Sequence, residues 1–174
     1  LIIILLDGYF IKLKRLFNSY FDNKYRLDKN IFIGGISGGI GSSVAKILSN
    51  QQHTVSGYAR TEEKLARLKS ELPGIHTFSA DATDTNDLAN SFKAAQEAMG
   101  SIDVYIHAIG SIIIKPAHLT NQAQWLDTLN LNLSSAFYAL KEAVAIMQKQ
   151  SHGSLVFYSS TAARIGVPNH EAIA

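Results

Sequence analysis

The 174-residue sequence contains no cysteine, and this absence excludes disulfide bonds and metal sites built on thiolates. Its net charge is only +2, so no basic surface that would favour nucleic acid is expected. Long hydrophobic runs are also missing, since the apolar stretch of residues 1–6 is too short to cross a membrane. The hydrophobic content of 47% and charged content of 17% are typical of a globular protein. We therefore expect a cytoplasmic protein with no nucleic acid, membrane or metal among its partners.

The first 28 residues differ in character from the rest of the chain. Their short apolar run is followed by a basic cluster at Lys12–Arg15, which reverses the order found in secretory signals. Apolar residues at helical spacing within residues 10–21 would suit an amphipathic helix that contacts a membrane surface or a partner. The alternative is a leader unrelated to the domain. We predict an atypical extension over residues 1–28 and a single domain over residues 29–174.

Residues 29–174 alternate between short apolar segments and segments of helical periodicity. The predicted strands are Ile31–Ile33, His53–Ala59, Ile75–Ala80, Ile102–Ala108 and Ser154–Ser159. The predicted helices are Gly39–Asn50, Thr61–Leu72, Asp84–Met99 and Asn121–Gln150. Because strands that alternate with helices form parallel sheets, the pattern predicts a doubly wound α/β domain. In the last helix the residues expected to face inward are Trp125, Leu129, Leu133, Phe137, Leu140 and Val144.

The first predicted strand runs directly into a glycine-rich turn and then into a helix, over residues 31–41. Glycine lets a ligand approach the backbone because it has no Cβ, and each glycine costs about 0.5–1 kcal/mol of backbone entropy relative to alanine. Core packing alone gives no reason for such a cluster. The free N–H groups and the positive end of the helix favour a bound phosphate. The stretch therefore predicts a phosphate-binding turn, and a plain surface turn is the alternative.

The glycine spacing G-x-x-x-G-x-G, on Gly35, Gly39 and Gly41, resembles that of the short-chain dehydrogenase/reductase family. The resemblance implies a Rossmann-like three-layer α/β/α fold with strand order 3-2-1-4-5. It also implies an NAD(P)-dependent oxidoreductase that transfers hydride between NADPH and a small carbonyl or alcohol substrate. The full-length protein would be a homo-oligomer, assembled through its long helices. Since family members continue with further strands and a substrate-binding loop, the domain is expected to be C-terminally incomplete. A dinucleotide-binding or regulatory module without catalysis is the alternative.

The cofactor-binding residues that the resemblance implies lie at the predicted strand ends. In the glycine turn they are Gly35, Ser37, Gly39, Ile40 and Gly41. Arg60 ends the second strand, where arginine pairs with the 2′-phosphate of NADP and an acidic residue would favour NAD. Asp81 and Ala82 resemble the pair that contacts adenine, although Asp81 also suits a turn or a cap. We expect NADP as the cofactor, with NAD as the other possibility.

The fourth predicted strand ends in His107-Ala108-Ile109-Gly110, where the family has Asn-Asn-Ala-Gly or a close variant. Ala108 and Gly110 fit this pattern, because small residues let the cofactor lie against the strand end. His107 departs from it and is interpreted as a hydrogen-bonded core residue, the commoner role of a lone histidine at a strand end.

The resemblance assigns two residues to the chemistry. Ser160 ends the fifth-strand signature, and its hydroxyl would hydrogen-bond the substrate carbonyl as negative charge develops. A strand-end cap is the alternative role for it. Asn132, placed by its spacing from Trp125, resembles the helix asparagine that anchors a proton-relay water, and Asn130 is the competing candidate. Tyr158 is interpreted as a packed aromatic residue.

The proton donor of the family is missing from its expected position. The family has a tyrosine thirteen residues after the serine and a lysine four residues further on. Here the tyrosine position holds Ile173, which cannot transfer a proton, and the lysine position falls after Ala174. His170 is a nearby titratable group and a candidate substitute acid. The sequence therefore predicts a nearly complete cofactor half and an incomplete catalytic half.

Overall fold

The computed structural model describes residues 28–174, so the predicted extension of residues 1–28 lies outside the described residues apart from Asp28. Its strands are β1 Asn30–Gly34, β2 Thr54–Ala59, β3 His76–Ser79, β4 Val104–His107 and β5 Ser154–Phe157. They form one parallel sheet in the order β3-β2-β1-β4-β5. The predicted doubly wound α/β fold and its strand order are confirmed, with small differences in strand bounds.

Helices follow the first four strands and cover both faces of the sheet. They are α1 Gly39–Asn50, α2 Glu62–Glu71, α3 Thr85–Met99, α4 Gln122–Leu129 and α5 Ser135–Gln150. Asp84 caps α3, because its side chain accepts hydrogen bonds from the N–H groups of Asn86 and Asp87. Among residues 28–174 no helix combines the length and apolar composition needed to span a bilayer.

The core is divided into two layers by the sheet. Side chains alternate along β1, so that Ile31 and Ile33 belong to the cluster that includes Leu48 of α1 and Leu65 of α2. Phe32 points to the other face and belongs to the cluster formed with α3 and α5. Burial of each such large side chain contributes about 1.5–3 kcal/mol. The alternation therefore explains why both faces of the sheet carry helices.

The predicted helix Asn121–Gln150 was assigned the wrong inner face. The structure divides it into α4, a π-helical turn at Asn130–Ser134, and α5. Small residues face inward on α5, namely Ser135, Ala139 and Ala143, together with Met147. The predicted inner residues Trp125, Leu133 and Phe137 are 44%, 64% and 61% exposed. Trp125 precedes the π turn and is already exposed, so the error does not begin at the turn: apolar residues follow helical spacing along the outer side of the whole segment.

The register brings the carboxyl ends of the central strands together. Gly34 at the end of β1 pairs with Tyr58 of β2 on one side and with His107 of β4 on the other. His107 in turn pairs with Phe157 of β5. In open α/β sheets ligands bind beyond these carboxyl ends, near the point where the strand order reverses. The segments that follow Gly34, Ala59, Ser79, His107 and Phe157 therefore form the candidate site.

Candidate functional site

The glycine turn between β1 and α1 is tied to the neighbouring strand. Gly35 has a φ of +76°, a left-handed conformation that side chains disfavour. Its N–H donates to the carbonyl of Tyr58 at 2.8 Å, and the N–H of Ile36 donates to the same oxygen at 3.2 Å. A Cβ on Gly41 would collide with the carbonyl of Gly35. Gly35 and Gly41 therefore allow the turn to fold tightly against the start of α1.

The amino end of α1 has no cap. Its N-cap residue is Gly38, which makes no side-chain hydrogen bond, and no acidic residue lies in the first turn. The first N–H groups of a helix have no acceptor within it, so those of Gly39, Ile40 and Gly41 remain available. Among residues 28–174 no atom would lie within 4 Å of a Cβ on Gly39. Protein packing therefore does not require glycine there, whereas a ligand lying against these N–H groups would.

Arg60 and Asp81 lie at the ends of the adjacent strands β2 and β3. Asp81 accepts hydrogen bonds from the N–H of Thr83 at 2.9 Å and from its hydroxyl at 2.8 Å, so it does form a turn. Partial burial alone would raise the pKa of Asp81, but these two bonds and the charge of Arg60 lower it. Ala82 is buried in the core, and Arg60 is exposed. The two charged side chains are thus near enough to interact.

The segment after β4 contacts both the glycine turn and the helix that carries Asn132. A Cβ on Gly35 would lie 2.7 Å from the carbonyl oxygen of Ala108. The Asn132 Oδ1 atom accepts from the N–H of Ser111 at 2.9 Å, and a Cβ on Gly110 would lie 3.0 Å from the same oxygen. Three predicted elements of the site therefore meet at one place: the glycine turn, the end of β4 and the Asn132 side chain.

Asn132 lies within the π turn. Its Nδ2 donates to the carbonyl of Thr128 at 2.9 Å and to the hydroxyl of Ser111 at 3.2 Å. The competing residue Asn130 pairs instead with the hydroxyl of Ser134 at 3.4 Å, on the exposed side. Asn132, and not Asn130, is therefore the amide that reaches the strand end.

The segment after β5 holds Ser160 and the end of the chain. The Ser160 Oγ accepts from the N–H of Ala162 at 3.1 Å and so caps a short helical turn, Thr161–Ala163. Tyr158 packs against the core cluster of Ile31 and Ile106, which confirms that it is a packed aromatic residue.

His170 and Ile173 lie in the final turns of the chain. The Nδ1 of His170 donates to the carbonyl of Pro168 at 2.8 Å, so this nitrogen is occupied. The N–H of Ile173 donates to the carbonyl of His170 at 3.1 Å. Within residues 28–174 neither His170 nor Ile173 makes a hydrogen bond with Ser160 or Asn132. The structure therefore does not bring the candidate substitute acid into contact with the other predicted catalytic residues.

A buried chain of hydrogen bonds lies beneath the strand ends. The hydroxyls of Tyr58 and Tyr105 are 2.9 Å apart, and the Tyr105 hydroxyl is 2.8 Å from His107 Nδ1. His107 Nε2 is 3.2 Å from the hydroxyl of Ser135 on α5. Each of these four side chains is at most 3% exposed. Burial lowers the pKa of His107 to about 4, so its ring is neutral at neutral pH. The interpretation of His107 as a hydrogen-bonded core residue is confirmed.

Sequence reasoning missed the other members of this chain. Gly34 belongs to the same feature, because a Cβ there would lie 2.6 Å from the Tyr105 hydroxyl and 2.7 Å from that of Tyr58. This glycine, attributed to the phosphate-binding turn, therefore makes room for two buried tyrosines. Gly34 pairs in register with Tyr58, and Tyr105 pairs with the preceding Phe32, so this proximity depends on strand pairing, which a strand-by-strand reading does not reveal. Among the described residues no cluster suited to a metal ion occurs.

Known proteins resemble this chain in sequence. The family model described as short chain dehydrogenase matches residues 29–172. The 3-oxoacyl-[acyl-carrier-protein] reductase FabG of Staphylococcus aureus is 26% identical over 148 residues, which cover 82% of this chain and 60% of that protein. The chain thus spans about 60% of the length of this curated relative.

Solved structures share the fold. A short-chain type dehydrogenase/reductase from Mycobacterium ulcerans superimposes with a TM-score of 0.81 and 27% identity, over 84% of this chain and 56% of that one. An NAD+-bound xylitol dehydrogenase gives a TM-score of 0.82 at 21% identity, over 86% of this chain and 60% of the other. The likeness to the xylitol dehydrogenase concerns the fold alone.

Proposed function

The chain belongs to the short-chain dehydrogenase family, and from this we propose that it is part of an NAD(P)-dependent oxidoreductase. In the proposed reaction hydride passes between NADPH and a small carbonyl or alcohol substrate. The support comes from the family match, from relatives such as FabG, and from the geometry of the strand ends. The observation that carries the proposal is the uncapped amino end of α1 beside Gly39.

The residues of the glycine turn fit a bound diphosphate. The N–H groups of Gly39, Ile40 and Gly41 have no helical acceptor, and α1 presents its positive end there. The open space at Gly39 is a cradle that a side chain would fill. Ser37, which precedes the N-cap, lies on the same turn. Gly35 supports the site indirectly, because its left-handed conformation sets the path of the turn that leads to these donors.

We assign NADP as the preferred cofactor on the basis of Arg60. An exposed guanidinium at the end of β2 would pair with the 2′-phosphate, where a carboxylate would bond the ribose hydroxyls of NAD. Asp81 and Ala82 would lie along the adenine, and Ala108 and Gly110 would leave room for the remainder of the dinucleotide. The Asp81 carboxylate already serves a turn, so its second oxygen is the atom that we assign to the ligand.

The bound nicotinamide would supply or accept the hydride, and the protein would handle the charge and the proton. The Ser160 hydroxyl would donate to the substrate oxygen as negative charge develops on it. Asn132 would hold a water of the proton relay at the end of β4. The proton itself needs a donor, and Ile173 occupies the family's position for one. The second candidate function, a dinucleotide-binding module without turnover, is favoured by this residue.

A nucleotide titration tests the proposal. Binding of NADPH and NADH is followed by the fluorescence of Trp125, the single tryptophan, and by the melting temperature. We expect NADPH to bind more tightly than NADH, and Arg60→Ala to weaken NADPH by about tenfold or more, with little effect on NADH. Arg67→Ala is the matched control, because the Arg67 side chain is 82% exposed and pairs with Glu71 of its own helix.

The outcomes separate the candidate functions. If neither nucleotide binds, both the oxidoreductase and the binding module are rejected. If binding occurs but Arg60→Ala and Arg67→Ala behave alike, the NADP preference is wrong. NADPH oxidation against a panel of carbonyl compounds then distinguishes the enzyme from the module, since only the enzyme consumes the nucleotide.

We also propose that the protein self-associates through its long helices. The support is an exposed apolar face on α4, the π turn and α5, formed by Trp125, Leu126, Leu133 and Phe137. Exposed apolar surface of this kind often marks an interface. The face that sequence reasoning placed toward the core would thus be buried by a second copy.

A further inference from the structure

Two hydrogen-bonded links join the end of β4 to the helical segment of residues 122–150. The outer link is formed by Ser111 and Asn132, whose N–H and Oδ1 are 2.9 Å apart. The inner link is formed by His107 and Ser135, whose Nε2 and Oγ are 3.2 Å apart. Both links reach the same π turn, one at its middle and one at its end. Because both links act on this turn, a change in the inner link can alter the position of Asn132 in the outer link.

Ser135 completes the hydrogen bonding of the π turn with its side chain. Its N–H donates to the carbonyl of Asn130, five residues back, and not to that of Leu131. Its hydroxyl donates to the carbonyl of Leu131 at 2.7 Å. The side chain thus gives Leu131 the donor that an α-helix would have taken from the Ser135 N–H. The hydroxyl therefore stabilises the π turn when its proton points toward the Leu131 carbonyl.

The direction of the Ser135 hydroxyl follows from its neighbours. A carbonyl only accepts, so the single hydroxyl proton of Ser135 points to Leu131. The contact with His107 then requires Nε2–H as the donor, which leaves Nδ1 to accept from the Tyr105 hydroxyl. Tyr58 donates to Tyr105 in turn, because the Tyr105 proton is already used. The buried chain therefore runs in one direction, from β2 to the π turn.

We propose that His107 is a positioning residue: by donating to Ser135 it fixes the π turn that holds Asn132 against Ser111. The consequence for catalysis rests on the proposed function, in which Asn132 holds a relay water. The geometric claim stands by itself, and it concerns a ring that is buried and hydrogen-bonded to Tyr105 and Ser135. It differs from a simple core-filling role, which would require only that the ring be buried and that Tyr105 keep an acceptor.

Two substitutions at position 107 separate these roles. The amide nitrogen of glutamine lies near the place of Nε2 and still reaches Ser135, whereas the shorter asparagine ends near Nδ1 and serves only Tyr105. Hydrogen exchange at the Ser111 N–H, followed by NMR on the full chain, reports the outer link directly. We expect His107→Gln to keep slow exchange, and His107→Asn and Ser135→Ala to speed it by about tenfold or more.

The matched control is Ser91→Ala. Ser91 is a buried helical serine whose hydroxyl donates to the carbonyl of Leu88 at 2.7 Å, as Ser135 does to Leu131, but it lies on α3. Exchange rates are corrected for the free energy of unfolding of each variant, measured in urea. Faster exchange in Ser91→Ala as well, or equal exchange in His107→Gln and His107→Asn, would overturn the proposal.

Nucleotide affinity, measured on the same variants, keeps the two proposals apart. His107 and Ser135 are not among the residues assigned to the nucleotide, so His107→Asn and Ser135→Ala should bind NADPH within about twofold of the wild type. A wild type that binds neither nucleotide would reject the proposed function, and the exchange comparison would still decide the role of His107. Lost NADPH binding in Ser135→Ala with unchanged exchange would contradict the positioning role.

Discussion

Two glycines of the same turn should respond in opposite ways to alanine. A Cβ on Gly39 meets no atom within 4 Å, and the residue occupies the first position of α1. A Cβ on Gly41 would collide with the carbonyl of Gly35 and lie 2.9 Å from the Cα of Ile36. These are backbone atoms, which cannot rotate away as a flexible side chain would. The first substitution should therefore spare the fold, and the second should strain it.

The magnitudes follow from this difference. Gly39→Ala removes backbone freedom from the unfolded chain at no steric cost, so the free energy of unfolding should stay level or rise by up to about 1 kcal/mol. Gly41→Ala should lower it by about 1–3 kcal/mol, the usual cost of overpacking, or by more if the turn cannot shift. Nucleotide affinity should fall by about tenfold or more in Gly39→Ala, because the new methyl group stands over the N–H groups of the first turn.

The measurement combines urea unfolding with titration of NADPH against Trp125 fluorescence. Gly39→Ala is the informative variant, since it separates binding from folding. A variant that is as stable as the wild type and binds NADPH equally well would refute the placement of the diphosphate at this helix end. A loss of stability in Gly39→Ala would refute the claim that the space beside it is open.

Three further substitutions test other parts of the structure. Burial alone would raise the pKa of Asp103, but hydrogen bonds from the Asn30 N–H and from His152 lower it. The Asp103 carboxylate therefore stabilises the fold above its unfolded pKa of about 4, and this stabilisation is lost as the pH falls through the lower folded pKa. Asp103→Asn should therefore cost about 1–2 kcal/mol of unfolding free energy at pH 7 and progressively less in acid, and a cost independent of pH would contradict this. Ser56→Ala should raise stability by about 1 kcal/mol in urea, because the buried Ser56 hydroxyl has no hydrogen-bond partner among residues 28–174; a loss would show that it has one. Phe137→Ser should lower the mass measured by light scattering if α5 forms the self-association interface, and an unchanged oligomer would place the interface elsewhere.

The fold could be predicted from sequence because its signals are local and repeated. Each strand is a short apolar run, and the first four are followed by helices, one of which has a clear start signal in Asp84 before α3. This alternation of strands with helices indicated the parallel sheet. The strand order itself came from the resemblance to the family, since crossover rules alone allow more than one order.

The π turn could not be predicted, and the inner face of the longest helical segment was assigned wrongly. Apolar residues such as Trp125, Leu133 and Phe137 fall at helical spacing before and after the turn, but they lie on the exposed side. The inward positions then go to Ser135, Ala139 and Ala143, whose small side chains let α5 lie close to the sheet. A hydrophobic period identifies a helix reliably, but it does not show which side is buried when a second apolar face exists.

The glycine cluster shows the same limit at the level of single residues. Sequence reasoning attributed the whole cluster to phosphate binding, whereas Gly34 gives room to the Tyr58 and Tyr105 hydroxyls and Gly41 gives room to the turn itself. Only contacts between distant segments distinguish these roles. Gly39 alone combines open space with an uncapped helix end, and this is why it carries the proposed function.

The two halves of the candidate site, one for the diphosphate and one for catalysis, depend on different features of the chain. The proposed diphosphate binding at α1 would use backbone N–H groups, which any sequence supplies provided that the turn and Gly39 are kept. Catalysis depends on side-chain identity, and here Ile173 stands where the family has its proton donor. The proposed nucleotide binding and the proposed turnover therefore need separate tests. For this reason an assay of NADPH consumption, and not a further comparison of folds, distinguishes a reductase from a binding module.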